Sequence, residues 1–141
     1  MEQNPLDNNN LRARVQTALD EHVAQDRVLM SSVSKDTLSL VDSLSGLLAG
    51  GKRLRPLLTL IAAQFGDPSK SGIVEAAVVC ELTHVATLYH DDVMDEAPLR
   101  RGVASANDRW GNTVAILTGD YLFARTSDML ADLGPAAVHL Q

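Results

Sequence analysis

The segment that most limits how this chain can fold is residues 72–95, GIVEAAVVCELTHVATLYHDDVMD. Its first half is almost entirely apolar, and its second half carries a histidine and a cluster of aspartates. The alternation of polar and apolar residues that is typical of a half-buried strand does not stand out in it. The segment therefore predicts a long, largely buried helix with an acidic C-terminal end.

Apolar residues recur at spacings of three and four in several other segments, which is the period of an amphipathic helix. Gly50-Gly51, Gly66 and Gly134-Pro135 are typical helix stop signals. The predicted fold class is all-α, without strands, internal repeats or linkers. Residues 1–10 are expected to be a disordered polar lead, and residues 11–141 to belong to one domain. The predicted helices cover about residues 11–30, 38–48, 56–66, 72–95 and 113–133, and another helix begins near residue 136 after a short polar segment at 107–110.

Composition limits the class of protein. The chain has a formal net charge of −6, so it lacks the basic footprint of a nucleic-acid-binding protein. Its apolar runs are far shorter than the roughly 20 residues that a transmembrane helix needs, and its first residues lack the apolar core of a signal peptide. Cys80 is the only cysteine, which excludes an internal disulfide and favours a reducing compartment. We expect a soluble, cytoplasmic protein.

The acidic cluster has a helical geometry. His84, Thr87, Asp91 and Asp95 fall on one stripe of the predicted helix, and Asp92 is rotated from Asp91 by about 100°. Burying two carboxylates one helical turn apart among apolar side chains costs free energy unless a cation pairs with them. Mg²⁺ prefers oxygen ligands and binds through one or two protein carboxylates, sharing its other positions with water and phosphate. The pattern favours a Mg²⁺ site formed by Asp91 and Asp95, and the alternative is a solvated helix end.

Two cationic segments flank this helix. GGKRLRP, residues 50–56, places Lys52, Arg53 and Arg55 before a helix start, where free backbone N–H groups also attract anions. LRRG follows the aspartates and carries Arg100 and Arg101, whose guanidinium groups can bind phosphate oxygens in a bidentate way. Each segment alone could be a solvated loop or a set of surface ion pairs. Together with the acids, they indicate a site for two polyanionic substrates, at least one of them bridged by a metal ion.

These motifs resemble a known family. GGKRLRP, followed by ELTHVATLYHDDVMDEAPLRRG and ANDRWGNTVAILTGDYLFAR, resembles the trans-type isoprenyl diphosphate synthases, the polyprenyl synthetase family, over about residues 11–133. The resemblance implies an isoprenoid-synthase-type helical bundle around a deep apolar cavity, with only its N-terminal helices present. It also implies a Mg²⁺-dependent prenyltransferase that condenses isopentenyl diphosphate with an allylic diphosphate and releases pyrophosphate.

The resemblance assigns roles to individual residues. Asp91 and Asp95 would hold Mg²⁺ on the allylic diphosphate, and Arg100 would bind that diphosphate. Asp92 belongs to the motif, but its position on the helix favours a supporting role. The expected ligands of isopentenyl diphosphate are Lys52, Arg55, His84 and Arg101.

Product length is implied by the residues four and five positions before the first aspartate, Thr87 and Ala86. In the family these positions help form the cavity floor, and short-chain enzymes tend to carry aromatic residues there. Both residues are small in this chain. A medium- or long-chain product is therefore expected.

One departure from the family stands out. Its members carry a second aspartate-rich motif in a C-terminal half, whereas Asp128 and Asp132 do not form one here. We therefore expect this chain to be inactive alone. We also expect it to form a homodimer through the helix predicted at residues 113–133, or to pair with a complementary C-terminal half. The alternatives are a non-catalytic subunit that pairs with a full-length synthase and a plain helical interaction module.

Overall fold

The computed structural model describes residues 8–31 and 51–140. Almost all of its regular structure is helical, which confirms the predicted all-α class. In chain order, the elements are helices α1 (Asn8–Ser31), α2 (Leu54–Ala63) and α3 (Ile73–Met94), strands β1 (Leu99–Arg100) and β2 (Val103–Ala104), and helices α4 (Ala106–Trp110), α5 (Asn112–Leu133) and α6 (Pro135–Leu140). None of the described helices is both long and apolar enough to cross a bilayer.

The helix boundaries differ from the sequence predictions mainly at the N-terminal ends. Helix α1 begins at Asn8, so residues 8–10 are helical and are not part of a disordered lead. Helix α2 begins two residues before Pro56, because proline is tolerated anywhere in the first turn, where N–H groups have no partner within the helix. Helices α3 and α5 agree with prediction to within a residue or two. The helix predicted at residues 38–48 lies outside the described residues.

The charged loop after α3 is a short β-hairpin, which the sequence did not predict. Leu99 pairs with Ala104 and Arg100 with Val103 in antiparallel register. The turn between them has positive φ angles at Arg101 (52°) and Gly102 (82°), as tight hairpin turns require. Strands of two residues are too short to produce a recognisable alternation, so composition alone gave no signal. The hairpin gives Arg101 a fixed place at its tip.

Helix α3 is at the centre of the fold and packs against α1, α2 and α5. Contact on several sides explains why its sequence is apolar on nearly every face. Tyr89 is its largest fully buried side chain. The core that surrounds α3 is formed by Val15 and Leu19 of α1, Leu60 of α2, and Ala115, Leu122, Met129 and Leu130 of α5.

A glycine allows α3 and α5 to approach closely beside the acidic cluster. A Cβ atom at Gly119 would lie 2.3 Å from Nε2 of His90, so a larger residue would displace the imidazole. Nε2 of His90 lies 3.1 Å from the carbonyl oxygen of Ile116 and 3.2 Å from a carboxylate oxygen of Asp120. This contact fixes α3 against α5 immediately before the first aspartate of the cluster.

Helix α2 has a second apolar face, which does not pack on α3. Its side chains recur at helical spacing and are largely exposed in the described structure. They belong to Leu54, Leu58, Ile61 and, just beyond the helix, Phe65. An apolar stripe of this kind commonly marks a surface that packs against another element or chain.

Two leucines on α5 test where the core lies. Leu122 is fully buried and Leu117 is 54% exposed. We expect Leu122→Ala to lower the free energy of unfolding by about 2–5 kcal/mol, because it removes buried methyl groups and leaves a cavity. Leu117→Ala, the matched control, should change it by less than about 0.5 kcal/mol. Urea unfolding measures both, and equal losses would contradict this assignment of the core.

Candidate functional site

One pocket brings together the basic residues that the sequence singled out. Lys52, Arg55, His84 and Arg101 all line a cavity of about 530 Å³. A larger cavity of about 690 Å³ runs along α1, but Arg14 is the only basic side chain that lines it, and Glu21 lies on the same wall. Charge rather than size therefore identifies the candidate anion site. It is the cavity lined by Lys52, Arg55, His84 and Arg101, which we call the basic pocket.

The basic pocket is assembled from elements that are far apart in sequence. Lys52 lies in the loop before α2, and Arg55 lies in the first turn of that helix. His84 comes from the middle of α3, and Arg101 from the hairpin tip. The start of α2 also leaves backbone N–H groups without helical partners, which favours anions. The pocket therefore presents donors and positive charge from several directions.

The surroundings of His84 favour the neutral form of its imidazole. Burial lowers its pKa below the ordinary histidine value, and the positive charge of Arg55 lowers it further. The nearby carboxylate of Glu81 acts in the opposite direction, and Arg101 and Arg100 again lower the pKa. Neutral His84 can donate one N–H bond while the guanidinium groups supply the charge. As pH falls through the ordinary histidine range, the unfolded chain takes up this proton more readily, which disfavours the folded state.

Arg53 behaves differently from the neighbouring cations of the same motif. Its Nη1 donates a 2.7 Å hydrogen bond to a carboxylate oxygen of Glu81, and the two residues are only 7% and 6% exposed. Its Nη2 donates to the side-chain oxygen of Gln16 on α1 at 3.2 Å. From sequence, Arg53 is one of three cations in a loop, and its pairing with Glu81 was not predicted. The available signal was Glu81 itself, an acid within the most apolar part of α3.

The aspartates of α3 divide into two kinds. Asp91 is half-buried and Asp95 is exposed, and the amide of Asp95 donates a 2.8 Å hydrogen bond to the carbonyl of Asp91. The helical turn therefore continues between them, as the predicted stripe requires. Within residues 8–31 and 51–140, no group of three or more histidine, cysteine or acidic side chains is arranged to hold a metal. A pair of carboxylates completed by water and phosphate is the donor set that Mg²⁺ commonly accepts.

Asp92 is turned inward and is paired with Arg100. It is 1% exposed, and Nε of Arg100 donates to both of its oxygens, at 2.7 and 2.8 Å. Nη2 of Arg100 donates to the same carboxylate. These bonds raise the pKa of Arg100, against the opposing effect of its burial, and the charges of Asp92, Asp91 and Asp95 raise it further. The bidentate contact fixes the guanidinium beside the acidic cluster.

The two residues linked to product length lie in different surroundings. Ala86 is fully buried in the core cluster. Thr87 is half-buried, and its hydroxyl donates a 2.7 Å hydrogen bond to the carbonyl of His84. Only Thr87 therefore lies on the partly accessible stripe that leads to Asp91.

Comparison with known proteins identifies the fold. The structure of heptaprenyl diphosphate synthase from Staphylococcus aureus aligns with a TM-score of 0.75 and 34% identity, over 93% of this chain and 38% of that one. Geranylgeranyl pyrophosphate synthase from Corynebacterium glutamicum, complexed with calcium and isoprenyl diphosphate, aligns with a TM-score of 0.61 and 45% identity, over 88% and 37%. The helices described above therefore have the fold of the N-terminal part of an isoprenyl diphosphate synthase.

The sequence comparisons agree with the structures. Nonaprenyl diphosphate synthase of Mycobacterium tuberculosis is 50% identical over 130 residues, which cover 91% of this chain and 36% of the relative. The chain belongs to the polyprenyl synthetase family, whose profile matches residues 39–141. It spans little more than a third of the length of these relatives.

The electrostatic coupling inside the basic pocket can be measured directly. We expect Arg55→Gln to raise the pKa of His84, because it removes a positive charge that disfavours the imidazolium. A pH titration of the His84 ring signals by NMR reports this value. Lys70→Gln serves as the control, since Lys70 is not among the groups that act on His84. An unchanged His84 pKa in Arg55→Gln would contradict the pocket geometry.

Proposed function

We propose that this chain is the N-terminal part of an isoprenyl diphosphate synthase, which condenses isopentenyl diphosphate with an allylic diphosphate and releases pyrophosphate. The main support is that the basic pocket brings together Lys52, Arg55, His84 and Arg101. One of them, His84, lies on α3, the helix that also carries the aspartates. Membership of the polyprenyl synthetase family supports the same reaction.

The basic pocket is the proposed site of isopentenyl diphosphate. Lys52, Arg55 and Arg101 neutralise the diphosphate charge, and neutral His84 donates a hydrogen bond to one of its oxygens. This substrate keeps its diphosphate throughout the reaction. Residues that bind it therefore act by orientation, holding the isopentenyl group toward the allylic partner.

The aspartate side of α3 is the proposed site of the allylic diphosphate. Asp91 and Asp95 would hold Mg²⁺ against this diphosphate, and the related Corynebacterium structure contains calcium together with isoprenyl diphosphate. When bound, Mg²⁺ stabilises the negative charge that develops on the departing diphosphate. Arg100, held by Asp92, binds the same group and adds fixed positive charge beside it.

The apolar wall of α3 has its own proposed role. As the allylic diphosphate departs, positive charge develops on the allylic carbon, and water would convert that carbon to an alcohol. Valine, alanine and leucine side chains that line a cavity beside Asp91 would exclude water from this carbon. The abundance of these residues on α3 is consistent with such a wall.

The proposed product is medium- or long-chain. The relatives include a nonaprenyl and a heptaprenyl diphosphate synthase. Thr87 is small and lies one helical turn before Asp91, so it would leave room for a growing chain that passes along this stripe.

We further propose that the 141 residues bind diphosphate but do not turn substrate over alone, since the sequence has a single DDxxD motif. Pairing with a C-terminal half, or homodimerisation through α5, would cover apolar side chains that the described structure exposes, such as those of Leu58 and Ile116. The single cysteine favours a cytoplasmic location.

Calorimetry on this chain tests the two diphosphate sites separately. Lys52→Gln and Arg55→Gln should each weaken binding of isopentenyl diphosphate at least about tenfold. The reason is that hydrogen bonds to charged groups contribute about 1.5–3 kcal/mol, and about 1.4 kcal/mol corresponds to tenfold. Asp91→Asn should abolish the Mg²⁺-dependent part of the binding of a non-reactive allylic diphosphate analogue.

Asp128→Asn is the matched control, because Asp128 is an exposed acid on α5 whose ion pair with Arg125 contributes little. It should leave both affinities unchanged. Equal heats for the wild-type chain, Lys52→Gln and Asp91→Asn would favour a plain helical interaction module. Specific binding that yields no turnover when a C-terminal portion from a relative is added would favour a non-catalytic subunit.

Product length is tested in a chimera in which this chain replaces the aligned N-terminal portion of the Mycobacterium tuberculosis relative. We expect Thr87→Phe to shorten the main product, because the ring would obstruct the stripe behind Asp91. Thr87→Ser is the control and should leave product length unchanged. Ala86→Phe is less informative, because a ring at that core position would overpack the fold. Unchanged products in Thr87→Phe, measured by chromatography, would contradict a role for this stripe.

A further inference from the structure

A buried ion pair in the wall of the basic pocket connects several helices. Arg53 bonds to Glu81 on α3 and to Gln16 on α1, while its own backbone begins α2. Glu81 precedes His84 by one helical turn on the same side of α3. The pair therefore links the loop that carries Lys52 to the helix that carries His84.

The backbone of Arg53 has a strained conformation at the start of α2. Arg53 has φ 51° and ψ 36°, a left-handed conformation that non-glycine residues rarely adopt. Such conformations persist only where the surroundings impose them, and they cluster at functional sites. The turn sets the direction in which the chain enters α2, with Lys52 before it and Arg55 after it. Loss of the side-chain link would allow the loop to relax.

The charges around Gly51 add a second argument. A Cβ atom at Gly51 would lie 2.9 Å from Nη1 of Arg53 and 3.1 Å from Nη1 of Arg101, so guanidinium groups approach each other across this residue. Glu81 also lines the pocket, although a carboxylate there would repel a diphosphate. The ion pair between Glu81 and Arg53 reduces two repulsions. It weakens the repulsion between the carboxylate and a diphosphate, and it weakens the repulsion between the two arginines.

We propose that Arg53 and Glu81 are positioning residues: their ion pair holds Lys52, Arg55 and His84 in the geometry that binds a diphosphate, and neither partner contacts the substrate. This inference rests on the function proposed above. It gives Arg53 a different role from Lys52 and Arg55, the other cations of GGKRLRP, although all three carry the same charge. It also explains why an acid lies in a pocket for anions.

Glu81→Gln distinguishes positioning from direct binding by the sign of its effect. The variant removes one negative charge from the pocket wall and releases Arg53 from its counter-ion. If Arg53 were itself a ligand held back by Glu81, binding of isopentenyl diphosphate would become tighter. Positioning predicts weaker binding, by about fivefold or more, because the ion pair that holds Arg53 is replaced by a weaker hydrogen bond to an uncharged amide.

The remaining variants complete the test, with isopentenyl diphosphate and inorganic pyrophosphate titrated by calorimetry. Arg53→Gln should weaken binding, and the double variant Arg53→Gln/Glu81→Gln should bind no more weakly than Arg53→Gln alone, because both act through one link. Arg53→Lys keeps the charge but cannot bond to Glu81 and Gln16 with the same fork, so it should restore binding only in part.

Asp26→Asn is the control for a purely structural effect. Asp26 is a buried acid of α1 whose carboxylate pairs with Arg125 of α5 at 3.2 Å. Neither residue lines the basic pocket. It should lower the midpoint of thermal unfolding and leave diphosphate affinity unchanged. If it weakens diphosphate binding as much as Glu81→Gln does, the positioning role is wrong.

One measurement tests the positioning role without a substitution at Arg53 or Glu81. In ¹⁵N NMR spectra of the wild-type chain, the Nε–H signal of Arg53 should stay in place when isopentenyl diphosphate is added, while those of Arg55 and Arg101 shift. A shift of Arg53 as large as theirs, or tighter or unchanged binding in Glu81→Gln, overturns the inference. If the wild-type chain binds no diphosphate and Lys52→Gln changes nothing, the proposed function itself fails.

If Lys52→Gln weakens diphosphate binding while Arg53→Gln and Glu81→Gln leave it unchanged, only the positioning role fails.

Discussion

The burial of α3 among α1, α2 and α5 is the constraint on which the rest of the structure depends. A helix in contact on several sides can carry polar groups only where they are paired or where a stripe reaches a cavity. Its polar residues follow this rule: Glu81 and Asp92 are buried in ion pairs, while His84 and Asp91 lie on the accessible stripe. The same packing that stabilises the fold therefore decides which charges can meet a substrate.

The two charged motifs are organised alike. In GGKRLRP, Lys52, Arg53 and Arg55 all line the pocket, but Arg53 is also bound to the buried carboxylate of Glu81. In the acidic motif, Asp92 turns inward to Arg100 while Asp91 and Asp95 remain accessible to different degrees. In both, one member of the motif is bound to a partner of opposite charge from another element. Buried pairs of this kind contribute little net stability but fix geometry, which a site for charged substrates requires.

The similarity to longer synthases explains the unusual surface of the described helices. The chain matches a little more than a third of each relative's length, and its described residues include the basic pocket and the acidic stripe. The apolar stripe of α2, from Leu54 to Phe65, has no counterpart packed against it in the described structure. These side chains are available to pack against further protein in the assembly proposed above.

The sequence was enough to predict the helical class, the approximate limits of α3 and α5, and the candidate residues of the site, because periodicity and local motifs are short-range properties of the chain. It could not reveal the hairpin at Arg101, whose strands are too short to leave a pattern. Helix geometry and the family resemblance already separated Asp92 from Asp91 and left Arg53 out of the expected ligands, but neither showed which residues hold Asp92 and Arg53. The partners, Glu81 for Arg53 and Arg100 for Asp92, emerge only from the packing of the helices and the hairpin, because they come from elsewhere in the chain.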